Sequence, residues 1–150
     1  MVMLYESGKM DILYSKNFFE AMNPEKLVSR RLMDNGLTLE LWDRSRPVAG
    51  DRWYVALEVR IAVPITKANL PPELTDQAGE VAGILGPNLI FSHLDERNFI
   101  AEGEVKDIIN EMAERARELT PRYFGHPEFA PRIIRRKYAE YREKSLRHRS

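Results

Sequence analysis

The sequence predicts an α+β fold, a mainly antiparallel sheet with helices on one face and a C-terminal basic helix. Three observations carry that expectation. In RWYVALEVRIAV, Trp53, Val55, Leu57, Val59, Ile61 and Val63 alternate with Tyr54, Ala56, Glu58, Arg60 and Ala62, the period of two that gives a strand one apolar face. Asp34-Asn35-Gly36 is a hairpin signal, and LTLELW beyond it alternates in the same way. Val105, Ile108, Ile109, Met112, Ala116 and Leu119 then recur at helical spacing, with Glu111 placed to pair with Arg115.

The remaining elements follow in chain order. Val2–Tyr5 and Met10–Tyr14, separated by Ser7-Gly8, read as a hairpin. Phe18, Phe19 and Met22 form one side of a short helical stretch that Asn23-Pro24 ends. Residues 27–34 could be a short helix framed by Pro24 and Gly36, but the hairpin signal requires a partner strand, so a strand is expected. Pro64 and Pro71-Pro72 close the long strand, and a helix rich in Ala and Gly is expected over 73–85. Residues 88–94 and 98–101 read as short strands around a polar turn at Asp95-Glu96-Arg97. Thr120-Pro121 is expected to end the long helix, and a last helix starts near Pro131 with Ile134, Tyr138 and Tyr141 on one face, fraying from Arg147.

A chain of 150 residues with 43% hydrophobic residues is long enough for one core, which excludes a large multidomain enzyme and a wholly disordered chain. Residues 1–130 are expected to form the α+β domain, with 131–150 as its basic helix or tail. With no cysteine, disulfides and thiolate metal sites are excluded, and a cytoplasmic location is expected. No signal peptide is expected, because Glu6, Lys9 and Asp11 interrupt the first residues. No membrane helix is expected either, because Glu58 and Arg60 interrupt the longest apolar stretch.

Charge is balanced over the whole chain but not along it. Residues 121–150 hold nine basic and three acidic residues, a net +6, which leaves −6 on the preceding 120. A basic arm of this kind suits nucleic acid, but an acidic body in the same chain, or in a second copy of it, offers the arm an equally good partner. Arg132, Arg135, Arg136, Tyr138, Tyr141 and Arg142 are the candidate contacts.

The most site-like segment is WDRSRPVAGDRW, expected as a loop between two strands that concentrates Asp43, Arg44, Ser45, Arg46, Asp51 and Arg52 as candidate ligand-binding residues. Asp43-x-Ser45 with Arg30-Arg31 upstream resembles the arginine and Asp-x-Ser signature of PilZ cyclic-dinucleotide receptors. The glycine falls five residues after Ser45 and the Arg31 to Asp43 spacing is short, so membership does not follow. A double-stranded-RNA-binding domain is disfavoured by Glu73, Asp76 and Glu80, which stand where such modules place basic residues.

Catalytic motifs are absent: no GxSxG, HExxH or glycine-rich phosphate loop occurs. His93, His126 and His148 are scattered, and His93 with Asp95 and Glu96 lacks ligand spacing, so neither a catalytic residue, a metal nor a cofactor is expected. Glu102 and Glu104 suit the N-terminal dipole of the following helix. The expected function is therefore a non-catalytic, bacterial-type cytoplasmic binding or accessory protein that self-associates, with itself as partner and no membrane. The alternatives are a nucleic-acid binder using the C-terminal helix, and a small enzyme or nucleotide receptor using residues 43–52.

Overall fold

The computed structural model describes residues 26–149, so the hairpin and short helix expected before Asn23 lie outside the described residues. The elements are β1 (Lys26–Leu32), β2 (Thr38–Asp43), β3 (Arg46–Ala49), β4 (Arg52–Pro64), α1 (Ala78–Leu85), β5 (Asn88–Ala101), α2 (Val105–Phe124) and α3 (Phe129–Arg149). All strand pairs are antiparallel: β1 pairs with β2, β2 and β3 lie in succession along one side of β4, and β5 runs along the other side.

The alternation in β4 sets the core. Val55, Leu57, Val59, Ile61 and Val63 are at most 3% exposed, and Trp53 is half-buried at the same face. Leu39 and Leu41 of β2 extend that face, and Val81 of α1, Ile109, Met112 and Ala113 of α2, and Ile133, Ile134 and Tyr138 of α3 cover it. Phe91, Phe124 and Phe129 close one end as a cluster with centroids 5.0 to 5.4 Å apart, in the tilted and edge-on arrangements that aromatic quadrupoles favour. The helices thus lie on one side of the sheet.

Residues 26–32 form a strand, as the hairpin signal requires, and Gly36 has φ +87°. The turn is not the two-residue I′ form, however. Gly36 N–H donates to the Met33 carbonyl at 3.0 Å and Met33 N–H to Leu37 at 2.8 Å, and neither Asp34 nor Asn35 has positive φ. This is a three-residue loop with one left-handed glycine, which needs positive φ only once. Asn35 Nδ2 also donates to the carbonyls of Phe124 and His126, tying the loop to the junction of α2 and α3.

Four further expectations need correction. Helix α2 does not stop at Pro121 but continues to Phe124. Proline brings no N–H for the Arg117 carbonyl one turn back. Arg31 Nη1 reaches across from β1 and donates to that carbonyl at 3.3 Å, which offsets the loss. Next, Asp95–Arg97 is no turn: β5 is a single strand of 14 residues in which Asp95 pairs with Leu57 and Arg97 with Val55. Its polar residues are tolerated because His93 is exposed and Asp95 pairs with Arg97 at 2.7 Å. The irregularity falls later, at Phe99, where φ is +56° and the register with β4 shifts. Finally, the helix expected over 73–85 is divided into a 3-10 segment, Pro72–Gln77, and α1. The last helix keeps its regular backbone to Arg149, beyond the fraying expected at Arg147.

Candidate binding face

The segment expected as a loop is mostly strand. Asp43 faces Leu57 and Arg46 faces Tyr54 in one unbroken register, so β2 and β3 are a single strand with a break at Arg44-Ser45. The Asp-x-Ser element makes that break. Asp43 Oδ1 accepts the Ser45 N–H at 2.9 Å, a local turn that competes with the ladder. Ser45, only 6% exposed, turns its Oγ to accept the Ala56 N–H at 3.1 Å. The true turn is at Gly50-Asp51, with Gly50 at φ +58° in the first central position. Asp51, in the turn, and Arg52, just after it, are exposed and lie 3.7 Å apart.

Arg44 and Arg46 instead join residues of other strands on the sheet face opposite the helices. Register places Arg30, Glu40, Arg60 and Ser92 in one row across β1, β2, β4 and β5, with Trp42, Glu58 and Leu94 in the next. The polar groups form a chain across these rows. Arg30 Nε and Nη2 donate to Glu40 Oε2 at 3.1 and 2.9 Å, and Trp42 Nε1 donates to Glu40 Oε1 at 3.0 Å. The Arg44 guanidinium lies 5.4 Å from the Trp42 ring centroid and donates from Nε and Nη2 to Glu58 Oε1 at 2.8 and 2.6 Å. Ser92 Oγ donates to Glu58 Oε2 at 2.5 Å. Below this chain, Arg46 lies over the Tyr54 ring at 4.9 Å, and Tyr54 O–H donates to Glu96 at 2.9 Å.

These contacts hold both central carboxylates ionised. The Trp42 hydrogen bond does most to lower the Glu40 carboxyl below its ordinary value, and Arg30 adds to it against the cost of burial. Burial pushes Glu58 up, but the hydrogen bonds from Ser92 and Arg44 together outweigh it and the group ends lowered. A carboxyl lowered in the fold stabilises it above the unfolded value, about 4.3, and that stabilisation is lost as pH falls through the folded value. Glu58→Gln should therefore be less stable than the parent protein at neutral pH, with the difference shrinking below about pH 4. Urea unfolding across a pH series checks this, and a difference independent of pH would refute it.

The C-terminal candidates divide. Tyr138 belongs to the core, 6% exposed, with the Arg142 guanidinium 5.9 Å from its ring centroid. Arg135 Nε donates to Glu73 Oε2 at 2.5 Å and Nη2 to Oε1 at 3.1 Å, and Arg136 lies 3.9 Å from Glu140. Arg132 is exposed. Tyr141 is 45% exposed and lines, with Ile84, Arg142 and Leu146, an open groove of about 620 Å³ between α1 and α3. Glu102 and Glu104 form a 3-10 turn leading into α2, where neither makes a side-chain cap hydrogen bond. Among the described residues no three His, Asp or Glu side chains gather as a metal site, and no helix is long and apolar enough to cross a membrane.

Arg30, Glu40, Trp42, Glu58, Arg60 and Ser92 were not legible as a group in the sequence. Their signal is the polar half of the strand alternation, which reads as an ordinary solvent face until register brings Arg44 to Glu58, 14 residues away, and Ser92 to Glu58, 34 away. No family model, curated protein or solved structure matches the chain.

Proposed function

We propose that the chain is a non-catalytic binding or accessory protein that works as an assembly of its own copies. The observation that carries this reading is the line of exposed apolar side chains on β5: Ile90 and Leu94, 44% and 43% exposed, and Phe99, 71% exposed. Among the described residues β5 pairs only with β4, so these side chains belong to a strand whose other edge has no partner strand there. Glu40 and Glu58 each accept hydrogen bonds from an arginine of the same chain, which suits them to neutralise those arginines.

The C-terminal charge supports the same reading over a nucleic-acid binder. Arg122, Arg135, Arg136, Lys137 and Arg147 each have a carboxylate of the same chain within 4.0 Å. Ile133, Ile134 and Tyr138 are spent on the core and not on a helix that only tracks phosphates. The absence of cysteine agrees with work in the cytoplasm.

Light scattering on the full chain at micromolar concentration should give at least twice the 17.5 kDa chain mass. Duplex DNA at physiological salt should bind no better than about 1 µM, the upper range of non-specific binding. A monomer that binds DNA or RNA at submicromolar concentration would replace this reading with the nucleic-acid one.

A further inference from the structure

We propose that two copies of this chain join edge to edge through β5, antiparallel, with Leu94 facing Leu94 of the second copy, so that the two sheets become one. The inference rests on the self-associating reading above and adds the surface and the register.

The edge is long, and its charges Asp95, Glu96 and Arg97 are consecutive and of mixed sign. Isolated edge strands are commonly kept from pairing by short length, by proline, by a bulge or by charged side chains, lysine above all. β5 has 14 residues with neither proline nor lysine from Asn88 to Ala101. Its one irregularity, at Phe99, lies near the end, so Asn88 to Arg97 is regular against β4.

The register follows from charge and from the two faces of the strand. Ile90, Ser92, Leu94 and Glu96 share the face opposite the helices, because they pair with Ala62, Arg60, Glu58 and Ala56, and Phe91, His93, Asp95 and Arg97 share the other. A two-fold axis normal to the sheet keeps these faces matched only if it passes between the two copies of one residue, so the centres from Ser92 to Glu96 can be compared one by one. Centring on Asp95 or Glu96 sets a carboxylate against its own copy, which repels. Centring on His93 sets Asp95 against Phe91 and Glu96 against Ile90, and centring on Ser92 sets Asp95 against Leu89. Both oppose carboxylates to apolar side chains, which offer an anion nothing in return. With Leu94 at the centre, Leu94 meets Leu94, Ser92 meets Glu96, His93 meets Asp95 and Phe91 meets Arg97, each of the last three twice. These are an apolar contact, a small neutral side chain beside a carboxylate, an imidazole with a carboxylate, and a guanidinium with an aromatic ring. This register opposes no like charges over the seven residues from Phe91 to Arg97, all of them regular against β4.

Because the chain has no cysteine, introduced thiols report the register directly. Opposed residues of an antiparallel pair have Cα atoms about 4.5 to 5.5 Å apart, within disulfide range. Leu94→Cys should form a disulfide-linked dimer under mild oxidation. Ser92→Cys and Glu96→Cys should each remain mostly unlinked alone and form a linked heterodimer when mixed. Leu94→Arg sets two guanidinium groups together at a site that is 43% exposed in a single copy, so it should fold and raise the dimer dissociation constant more than about tenfold. A full chain that is dimeric, but whose Leu94→Cys variant does not link and whose Leu94→Arg variant stays dimeric, would overturn the β5 register while leaving self-association standing. A monomeric full chain would overturn both.

Discussion

Replacing Leu57 with alanine is expected to lower the free energy of unfolding by about 2 to 5 kcal/mol, the range for deleting a fully buried leucine. Leu57 is 1% exposed and sits where β4 is paired on both sides, with Asp43 of β2 and Asp95 of β5 opposite it. Strand pairing on both flanks limits how far the backbone can shift to fill the space left by the removed carbons, which favours the upper part of the range. The cost contains both the lost transfer of apolar surface from water and the cavity. Ala62, on the opposite face and exposed, supplies a comparison: Ala62→Ser in the same strand should change stability by no more than about 0.5 kcal/mol. Denaturant unfolding of the two variants checks the assignment of faces, and a Leu57→Ala change below about 0.5 kcal/mol would show that this face is not the core.

The same strand explains what could be read in one dimension and what could not. The β4 alternation, the β1 to β2 hairpin and the stripe of α2 were legible because each is local: residues within a few positions share a face, so burial leaves a periodic mark. Strand β3 was hidden because its residues satisfy their polarity across the sheet. Asp43 and Ser45 look like loop residues, yet they replace ladder hydrogen bonds around a strand break, and Arg44 finds Glu58 only through register. The polar middle of β5 looks like a turn in the sequence for a related reason. Residues 95–97 remain in the ladder because β4 provides a long template, and that template is invisible in the composition of β5 itself. Pro121 misled in the opposite direction, since its missing donor is offset by Arg31, 86 residues from the carbonyl it serves. Of the candidate site, the individual arginines were legible and their partners were not.

The C-terminal helix provides the second large effect. Ile134→Ala is expected to cost about 2 to 5 kcal/mol. The sequence places Ile134 in a segment whose net charge suggests an arm, but its side chain is 0% exposed and packs in the same core as β4. Ile133 and Tyr138 are buried beside it, at 4% and 6%. Deleting residues 131–150 would remove all three, and at about 1.5 to 3 kcal/mol for each buried side chain the loss approaches the 5 to 15 kcal/mol that holds an ordinary domain together. Such a deletion would therefore report unfolding and not the use of the basic charge. Point changes separate the two roles of the helix. Arg132→Ala alters an exposed residue one turn from the chain's entry into the helix and should leave stability within about 0.5 kcal/mol, while lowering any affinity for phosphate that the helix has. If Ile134→Ala and Arg132→Ala both left the unfolding midpoint unchanged, α3 would be an appendage and its burial against the sheet would be refuted. A large loss for Ile134→Ala alone would fix the inner half of α3 as part of the core, with the basic residues confined to its outer face.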